Sequence, residues 1–176
     1  KSATSKKPAP GGHKQPEALG QLATDEFMRL LGIHKAEWKS FGKNTWVNRV
    51  YIEKWGKEVI IEEKYQDKIP GYIVTNDVEK NGRPLAWVFP GSTRKRDGTQ
   101  MTTDELAARL EQSANYQLSR KGLVYPYFFM TLAGKLRDKL AEAAQQAQAE
   151  AVNLWQRDQT VEGVNITTLR RITDDH

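Results

Sequence analysis

Three short runs of β-branched and aromatic residues, separated by turn-forming residues, most constrain what this chain can fold into. They occupy residues 57–63 (KEVIIEE), 71–75 (GYIVT) and 84–89 (PLAWVF). Such side chains are enriched in strands, and linkers such as Asn81-Gly82 and the DKIP segment at 67–70 favour reversals of the chain. The pattern therefore predicts antiparallel strands. Leu85, Trp87 and Phe89 alternate along the last run, which predicts one buried face.

Helical periodicity dominates the C-terminal part of the chain. Thr103 is placed to cap a short helix with Leu106 and Leu110 on its inner face. A second short helix should run to Lys121, where Gly122 can end it. A longer apolar seam with steps of three and four predicts one long final helix and consists of Leu132, Leu136, Leu140, Ala143, Ala147, Ala151 and Leu154.

Two segments before these strands are assigned from their spacing. Residues 27–33 form an apolar run interrupted by Arg29, which favours a strand whose arginine faces a cleft; a helix starting after Thr24 is the alternative. Residues 40–55 predict a helix that Gly56 ends. The side chains expected on one face of that helix are Val47, Val50, Tyr51 and Trp55.

Composition limits the class of protein. A chain of 176 residues that is 38% hydrophobic can form one domain with a core. No apolar run approaches the ~20 residues of a membrane span. The absence of cysteine excludes disulfides and Cys-based zinc or iron–sulfur sites. A net charge of +5 suits a polyanionic partner such as nucleic acid.

Both ends of the chain differ in composition from the middle. Residues 1–22 form a Lys-, Pro- and Gly-rich tail, residues 157–176 form a polar C-terminal extension, and residues 23–156 form the expected domain. We expect other protein subunits to bind both extensions. A processed N-terminus, left after removal of a targeting peptide, would explain the tail and indicates an organelle or an exported protein.

Four pieces of the chain, in this order, resemble the staphylococcal nuclease-like (thermonuclease, TNase-like) domain family. The segment from RLLGIHKAEWKSF to KEVIIE (29–62) is similar to the family's strand, active-site loop, first helix and next strand. The segment NGRPLAWVF (81–89) resembles its second arginine turn, and NYQLSRKGL (115–123) and VNLW (152–155) resemble its later helices. The resemblance, over about residues 27–155, implies an α+β fold: a five-stranded OB-type β-barrel with helices, including a long C-terminal α-helix.

The resemblance also implies a catalytic set, namely Arg29, Glu37 and Arg83. In this interpretation Glu37 acts as general base on a water molecule, while the two arginines hold the phosphate oxygens and stabilise the charge that builds up on them. Arginine suits this role because it stays charged and its planar fork matches phosphate geometry. The alternative is structural: Arg29 and Glu37 form a salt bridge at the rim, and Arg83 is a turn residue.

The chain departs from the family where calcium would bind. The family holds calcium with an acidic residue in an early Asp-Gly-Asp-type turn and another just before the glutamate. Here the second position is His34, and no such turn precedes it. Calcium requires oxygen ligands. We therefore assign no metal ligands and expect calcium only if the site is active; a transition metal on His34 and Glu37 is a weaker alternative.

Further candidates for nucleic-acid binding lie outside the catalytic set. The segment 93–103 is an insertion relative to the family, and its Arg94, Lys95 and Arg96 could contact phosphates. Phe128 could stack on a base, although it could equally belong to the aromatic cluster that packs the final helix. A solvated loop is the structural alternative for the basic stretch.

Together these features indicate a nuclease-like OB-fold domain with a degenerate catalytic set, acting as a structural or interaction subunit of a larger assembly that could contain RNA. The alternative is an active metal-dependent endonuclease that hydrolyses DNA or RNA phosphodiesters with Glu37 as base. Losing a metal that stabilises transition-state charge costs several kcal/mol, so a residual activity would be slower by orders of magnitude.

Overall fold

The structure, a computed structural model, describes residues 17–42, 44–54, 56–62, 69–79 and 82–158. It is a mixed α+β fold, as the sequence predicts. The strands are β1 Ile33–Phe41, β2 Asn44–Lys54, β3 Lys57–Glu62, β4 Gly71–Val78 and β5 Pro84–Pro90. The helices are α1 Glu17–Leu30, α2 Thr103–Arg109, α3 Ala114–Arg120 and α4 Gly134–Ala149, with 3-10 turns at Leu110–Gln112 and Asn153–Arg157.

The strands form two antiparallel sheets. β1, β2 and β3 make a meander, and β4 and β5 make a hairpin, which confirms the strands predicted at 71–75 and 84–89 and the described part, 57–62, of the first one. Within the described strands no backbone pairing joins the two sheets, so these residues show two separate sheets rather than a closed barrel. On β5, Asn115 of α3 accepts a hydrogen bond from the Val88 amide and donates one to the Ala86 carbonyl, at 2.9 and 3.1 Å. α3 therefore covers part of the hairpin.

The prediction of a strand at residues 27–33 is wrong. These residues continue α1, and Arg29 lies in its last turn. The helical alternative was nearer the observed structure, but α1 starts at Glu17, within the stretch assigned to the tail. Gly32 has a φ of +80°, and its amide bonds to the Arg29 carbonyl, so the helix ends there and β1 begins at once.

The prediction of a helix at residues 40–55 is also wrong, because most of this segment forms β2. A central strand pairs on both sides and can carry apolar residues on both faces, so steps of three and four do not distinguish it from a helix. Val50 pairs with Ala36 on one side and Ile61 on the other. Trp55 lies outside the described residues.

The C-terminal helices agree with the prediction except at their ends. Thr102, rather than Thr103, caps α2: its hydroxyl accepts the Glu105 amide, and the Glu105 carboxylate accepts the Thr102 amide. Gly122 follows the end of α3 as expected, with a φ of +61°. The final helix is shorter than predicted, since Leu132 precedes α4 and Leu154 lies in the following 3-10 turn.

Burial is concentrated on the β4–β5 side of the molecule. One core cluster consists of Phe89, Leu106, Ala107, Leu110, Leu132 and Leu136. Along β5, Phe89 is buried, whereas every residue from Leu85 to Val88 is half-buried, so the expected alternation is weak. The described part of the meander buries only Ile33 and Tyr51, and α1 connects it to α3. Among the described helices, none is long and apolar enough to cross a membrane.

Candidate functional site

Glu37 lies on β1 inside a polar cluster of the meander. Its carboxylate accepts a hydrogen bond from the Tyr51 hydroxyl at 2.6 Å and one from the Lys35 ammonium at 3.2 Å. Arg49 forms an ion pair with its other oxygen at 3.8 Å. Strand pairing explains the arrangement, because Glu37 is opposite Arg49 and Lys35 is opposite Tyr51.

These contacts change the acidity of the cluster. The hydrogen bond from Tyr51, followed by that from Lys35, lowers the pKa of Glu37. The same hydrogen bond raises the pKa of Tyr51, and Glu37 raises the pKa of Lys35. The Lys35 ammonium also lies 4.3 Å from the centre of the Tyr51 ring. Glu37 is therefore held as an ionised carboxylate of reduced basicity.

Arg29 is committed to a different carboxylate. From the last turn of α1 it binds Glu26 with two nitrogens, at 2.8 and 2.7 Å, while its side chain stays 62% exposed. Lys121, next to α3, donates to the same carboxylate. The hydrogen bond from Arg29 is the largest cause, ahead of Lys121, of the fall in the pKa of Glu26 to about 2, although partial burial opposes it. This cluster ties α1 to α3.

Arg83 likewise forms an ion pair with a carboxylate nearby in the sequence. It precedes β5, its Nε donates to Glu79 at 2.9 Å, and its side chain is 76% exposed. The Glu79 amide in turn donates to the Arg83 carbonyl at 2.8 Å, which closes the turn between β4 and β5. Arg83 thus occupies the turn expected from the sequence, with an ion pair of its own.

The three predicted catalytic residues are not linked to one another in the described structure: no hydrogen bond or ion pair joins Arg29, Glu37 or Arg83 to another member of the set. Instead, the structure surrounds Glu37 with Arg49 and Tyr51, which the sequence reasoning missed. Both lie on the segment that was expected to be helical, and a helix there gave no reason to place them beside Glu37. Recognising β2 as a strand would have placed them opposite Glu37.

His34 makes a separate pair. Its Nε2 lies 3.0 Å from the Glu58 carboxylate on β3, not beside Glu37. Among the described residues, no three His, Asp or Glu side chains are grouped as a metal ion would need. One imidazole with one carboxylate does not match the six to eight oxygen ligands of calcium. The residues that the structure describes therefore do not fit the calcium site of the family.

The predicted nucleic-acid contacts lie elsewhere. Lys95 donates to Glu105 at 3.0 Å, whereas Arg94 and Arg96 are exposed and have no carboxylate partner in the described part of the chain. Beside this loop lies a groove of about 620 Å³ against β4. Phe128 is partly exposed in the segment between α3 and α4.

No family model matches the chain, and a search of the curated proteins gives no match. The likeness to nuclease-like domains rests on the four sequence pieces alone.

Proposed function

We propose that this chain is a nuclease-like domain whose catalytic set is degenerate, and that it serves as a structural or interaction subunit of a larger assembly, with RNA as a candidate component. The contacts of Tyr51, Lys35 and Arg49 with Glu37 carry this proposal. A general base needs a free lone pair and a pKa near the working pH. Both hydrogen bonds occupy Oε1 and lower the pKa of Glu37, which makes this carboxylate a weaker base.

The two arginines support the same conclusion. A guanidinium that stabilises a transition state must point its N–H groups at the place where charge develops. Arg29 gives two of them to Glu26, and Arg83 gives one to Glu79. Each arginine thus has part of its donor set occupied and its charge offset by a carboxylate of its own segment, which lowers the gain from phosphate binding.

Exposed apolar side chains support the interaction role. Trp38, Phe41 and Ile60 of the meander are exposed, and so is Met130 at 99% in the segment before α4. A partner that covers such side chains would remove apolar area from water, which favours association. We propose that partner subunits cover part of this surface and bind the extensions at 1–22 and 157–176.

Limited proteolysis tests the role of the extensions. If partners hold them, the isolated chain should be cut rapidly before residue 17 and after residue 158, while residues 17–158, which include all of α1, persist. Extensions that resist digestion in the isolated chain would show that no partner is needed.

We also propose that the two sheets belong to one OB-type barrel. The number of strands supports this, because an OB barrel has five and the structure describes five. Closure would need two seams, with the free meander edges β1 and β3 each pairing with a free edge of the β4–β5 hairpin. Hydrogen exchange tests this directly: edge amides as protected as those of β2 agree with closure, and amides as labile as those of residues 93–100 contradict it.

A second candidate is an active phosphodiesterase. The flanking of Glu37 by Lys35 and Arg49 favours it, since a carboxylate between two cations on an exposed sheet face combines a base with groups that could hold a phosphate. In this variant of the hypothesis, Arg49 takes the role that the resemblance gives to Arg29.

A cleavage assay separates the two candidates. The purified chain is incubated with single-stranded DNA and RNA, in calcium and then in EDTA, beside the variants Glu37→Gln and Glu53→Gln. Glu53 is an exposed glutamate of the same meander and serves as the matched control. We expect no cleavage by any sample. Calcium-dependent cleavage that Glu37→Gln abolishes and Glu53→Gln preserves would refute the degenerate assignment.

A further inference from the structure

The groove beside the basic loop is separate from the predicted catalytic set. Its walls come from residues 72–76 of β4, from residues 93 and 95–101 of the loop, and from residues 131–133 and 136 around the start of α4; none of Arg29, Glu37 and Arg83 lines it. Its volume of about 620 Å³ lies within the ~300–1,000 Å³ range of small-molecule sites. It is therefore large enough for a nucleotide.

The groove has an apolar floor and a polar rim. Tyr72, Trp87 and Met101 belong to the floor, where they pack against the core cluster. Tyr72 is already stacked on Phe89, with ring centres 4.8 Å apart. Threonine, asparagine and glutamine side chains from β4 and the loop form most of the rim. A flat, partly polar ring such as a nucleobase matches this lining.

Charge at the rim favours an anion. The Lys95 ammonium is neutralised by Glu105. Arg96 lines the groove, Arg94 lies two residues before it, and both guanidiniums are exposed without a carboxylate partner in the described residues. Asp97 lies on the same rim and offsets one of them. This differs from Arg29 and Arg83, each of which is ion-paired.

We propose that this groove binds single-stranded nucleic acid, with a base on the floor at Tyr72 and Trp87 and the adjacent phosphates on Arg94 and Arg96. Base stacking on aromatic side chains and phosphate contacts to arginine are the two components of sequence-tolerant single-strand binding. The site requires no catalytic group. It gives the interaction subunit a nucleic-acid surface of its own, whether or not Glu37 is active.

The first test measures affinity by fluorescence anisotropy in EDTA, with oligo(U) and oligo(dT) of eight nucleotides as probes. Two phosphate contacts on a single strand give a salt slope of roughly 1.4. Arg94→Ala/Arg96→Ala should reduce the slope by that amount and weaken binding roughly 25-fold at 0.1 M salt. The control Lys57→Ala/Arg157→Ala removes the same charge from exposed positions outside the groove and should change affinity far less.

Two further measurements separate the contribution of base stacking from that of the phosphate contacts. Asp97→Asn should tighten binding roughly threefold, because it removes a like charge beside the phosphates. An abasic strand of equal length should bind more weakly than oligo(dT), since it leaves the floor uncovered. Tighter binding of oligo(U) than of oligo(dT) would identify RNA as the source, and the reverse would identify DNA.

The three methionines of the chain localise the ligand. Met101 lines the groove, Met28 lies on α1, and Met130 is exposed beyond the groove wall. In a spectrum of 13C-methyl-labelled methionine, titration with oligo(dT) should shift Met101 and leave the other two in place. A shift confined to Met28 or Met130 would overturn the proposal.

Three other results would also overturn it. The Arg94→Ala/Arg96→Ala variant could bind as tightly as the control variant, or the abasic strand could bind as tightly as oligo(dT). An oligoglutamate peptide that competes as well as an oligonucleotide would indicate an acidic protein ligand. Because binding is measured in EDTA without cleavage, these results are independent of the nuclease assay. A chain that cleaves would refute the degenerate assignment and leave the groove site intact.

Discussion

The two sheets of this molecule bury their side chains to very different extents. The β4–β5 hairpin packs on α2 and α4 around Phe89, Leu106 and Leu110, all buried. The meander carries apolar side chains such as Phe41 and Ile60 at its surface. Buried apolar area supplies most of the stability of a domain. The hairpin and its helices should therefore supply most of the stability, whereas the meander depends on α1 and on whatever covers its exposed face.

The same contrast applies to charge. In the meander and on α1, the cations near the predicted catalytic residues are ion-paired, as Lys35 is with Glu37 and Arg29 with Glu26. On the hairpin side, Arg94 and Arg96 are exposed without such partners among the described residues. A paired cation has its charge offset by its carboxylate, whereas an unpaired one is available to a ligand. The side of the molecule with the core is thus also the side with the better binding surface.

The largest expected effect is on stability. Leu110 is 0% exposed in the core cluster, so Leu110→Ala removes buried methyl groups and leaves a cavity. We expect a loss of about 3 kcal/mol in the free energy of unfolding. Ile60 of the meander is 51% exposed, and Ile60→Ala should cost less than about 1 kcal/mol. Urea unfolding followed by circular dichroism measures both.

Equal losses for these two variants would break the contrast between the sheets. That result would mean that the meander is packed as tightly as the hairpin, for instance by barrel closure. Unfolding in two separate transitions, with Leu110→Ala moving only one, would sharpen the contrast.

Sequence reasoning succeeded where local signals and tertiary environment agree. Short β-branched runs bounded by turn residues identified β3, β4 and β5, and the apolar seam identified the core of α4. It failed at α1 and β2, where spacing is ambiguous. In α1 an apolar run in the last turns resembled a strand, and in β2 apolar residues on both faces resembled a helix.

The candidate site shows the same limit. Glu37 and Arg83 were selected by resemblance, but their partners follow from cross-strand register, which no local pattern specifies. Arg49 and Tyr51 contact Glu37 only because a bulge between Glu37 and Trp38 and the β1–β2 turn set that register. The groove was foreseen only in its basic loop, since its floor comes from residues distant in sequence.

Two glycines with similar backbone angles differ in what surrounds them. Gly122 has a φ of +61° and Gly42 a φ of +62°. A Cβ at Gly122 would lie 2.6 Å from the Val152 carbonyl oxygen, whereas one at Gly42 would meet nothing within 4 Å. Gly122→Ala should cost about 2–3 kcal/mol because it adds a clash to the strained φ, and Gly42→Ala about 1 kcal/mol for the φ alone.

Thermal and urea unfolding of the two glycine variants isolate the clash. Similar costs at both positions would show that the 3-10 turn after α4 moves away from Gly122 easily. The close packing of Gly122 against the segment after α4 would then contribute little to stability.

Glu26 connects α1, which packs on the meander, to the end of α3 on the hairpin side. The pKa of Glu26 lies at about 2, depressed from 4.5 chiefly by Arg29. A depressed carboxyl pKa gives stability that is complete above the unfolded pKa and is lost as pH falls through the folded one. We expect a loss of about 2 kcal/mol between pH 5 and pH 2, after allowing for the exposure of Arg29.

The control for this loss is Glu26→Gln. It keeps the shape of the side chain, so it should be less stable than the wild type at pH 7 and should lose less stability on acidification. If the variant and the wild type show the same pH dependence, other carboxylates cause it, and Glu26 does not connect α1 to α3 in the way the contacts indicate.

The smallest effect on stability is expected within the exposed meander, where the pKa of Glu37 is the more sensitive measurement. Tyr51→Phe removes the hydroxyl that donates to Glu37 at 2.6 Å and keeps the ring beside Lys35. Because that hydrogen bond is the main cause of the lowered pKa of Glu37, the pKa should rise toward its usual value. Lys35→Met, which removes the next contributor, should raise it less. Carboxyl 13C titration measures both, and an unchanged pKa in Tyr51→Phe would return Glu37 to the candidates for a free catalytic base.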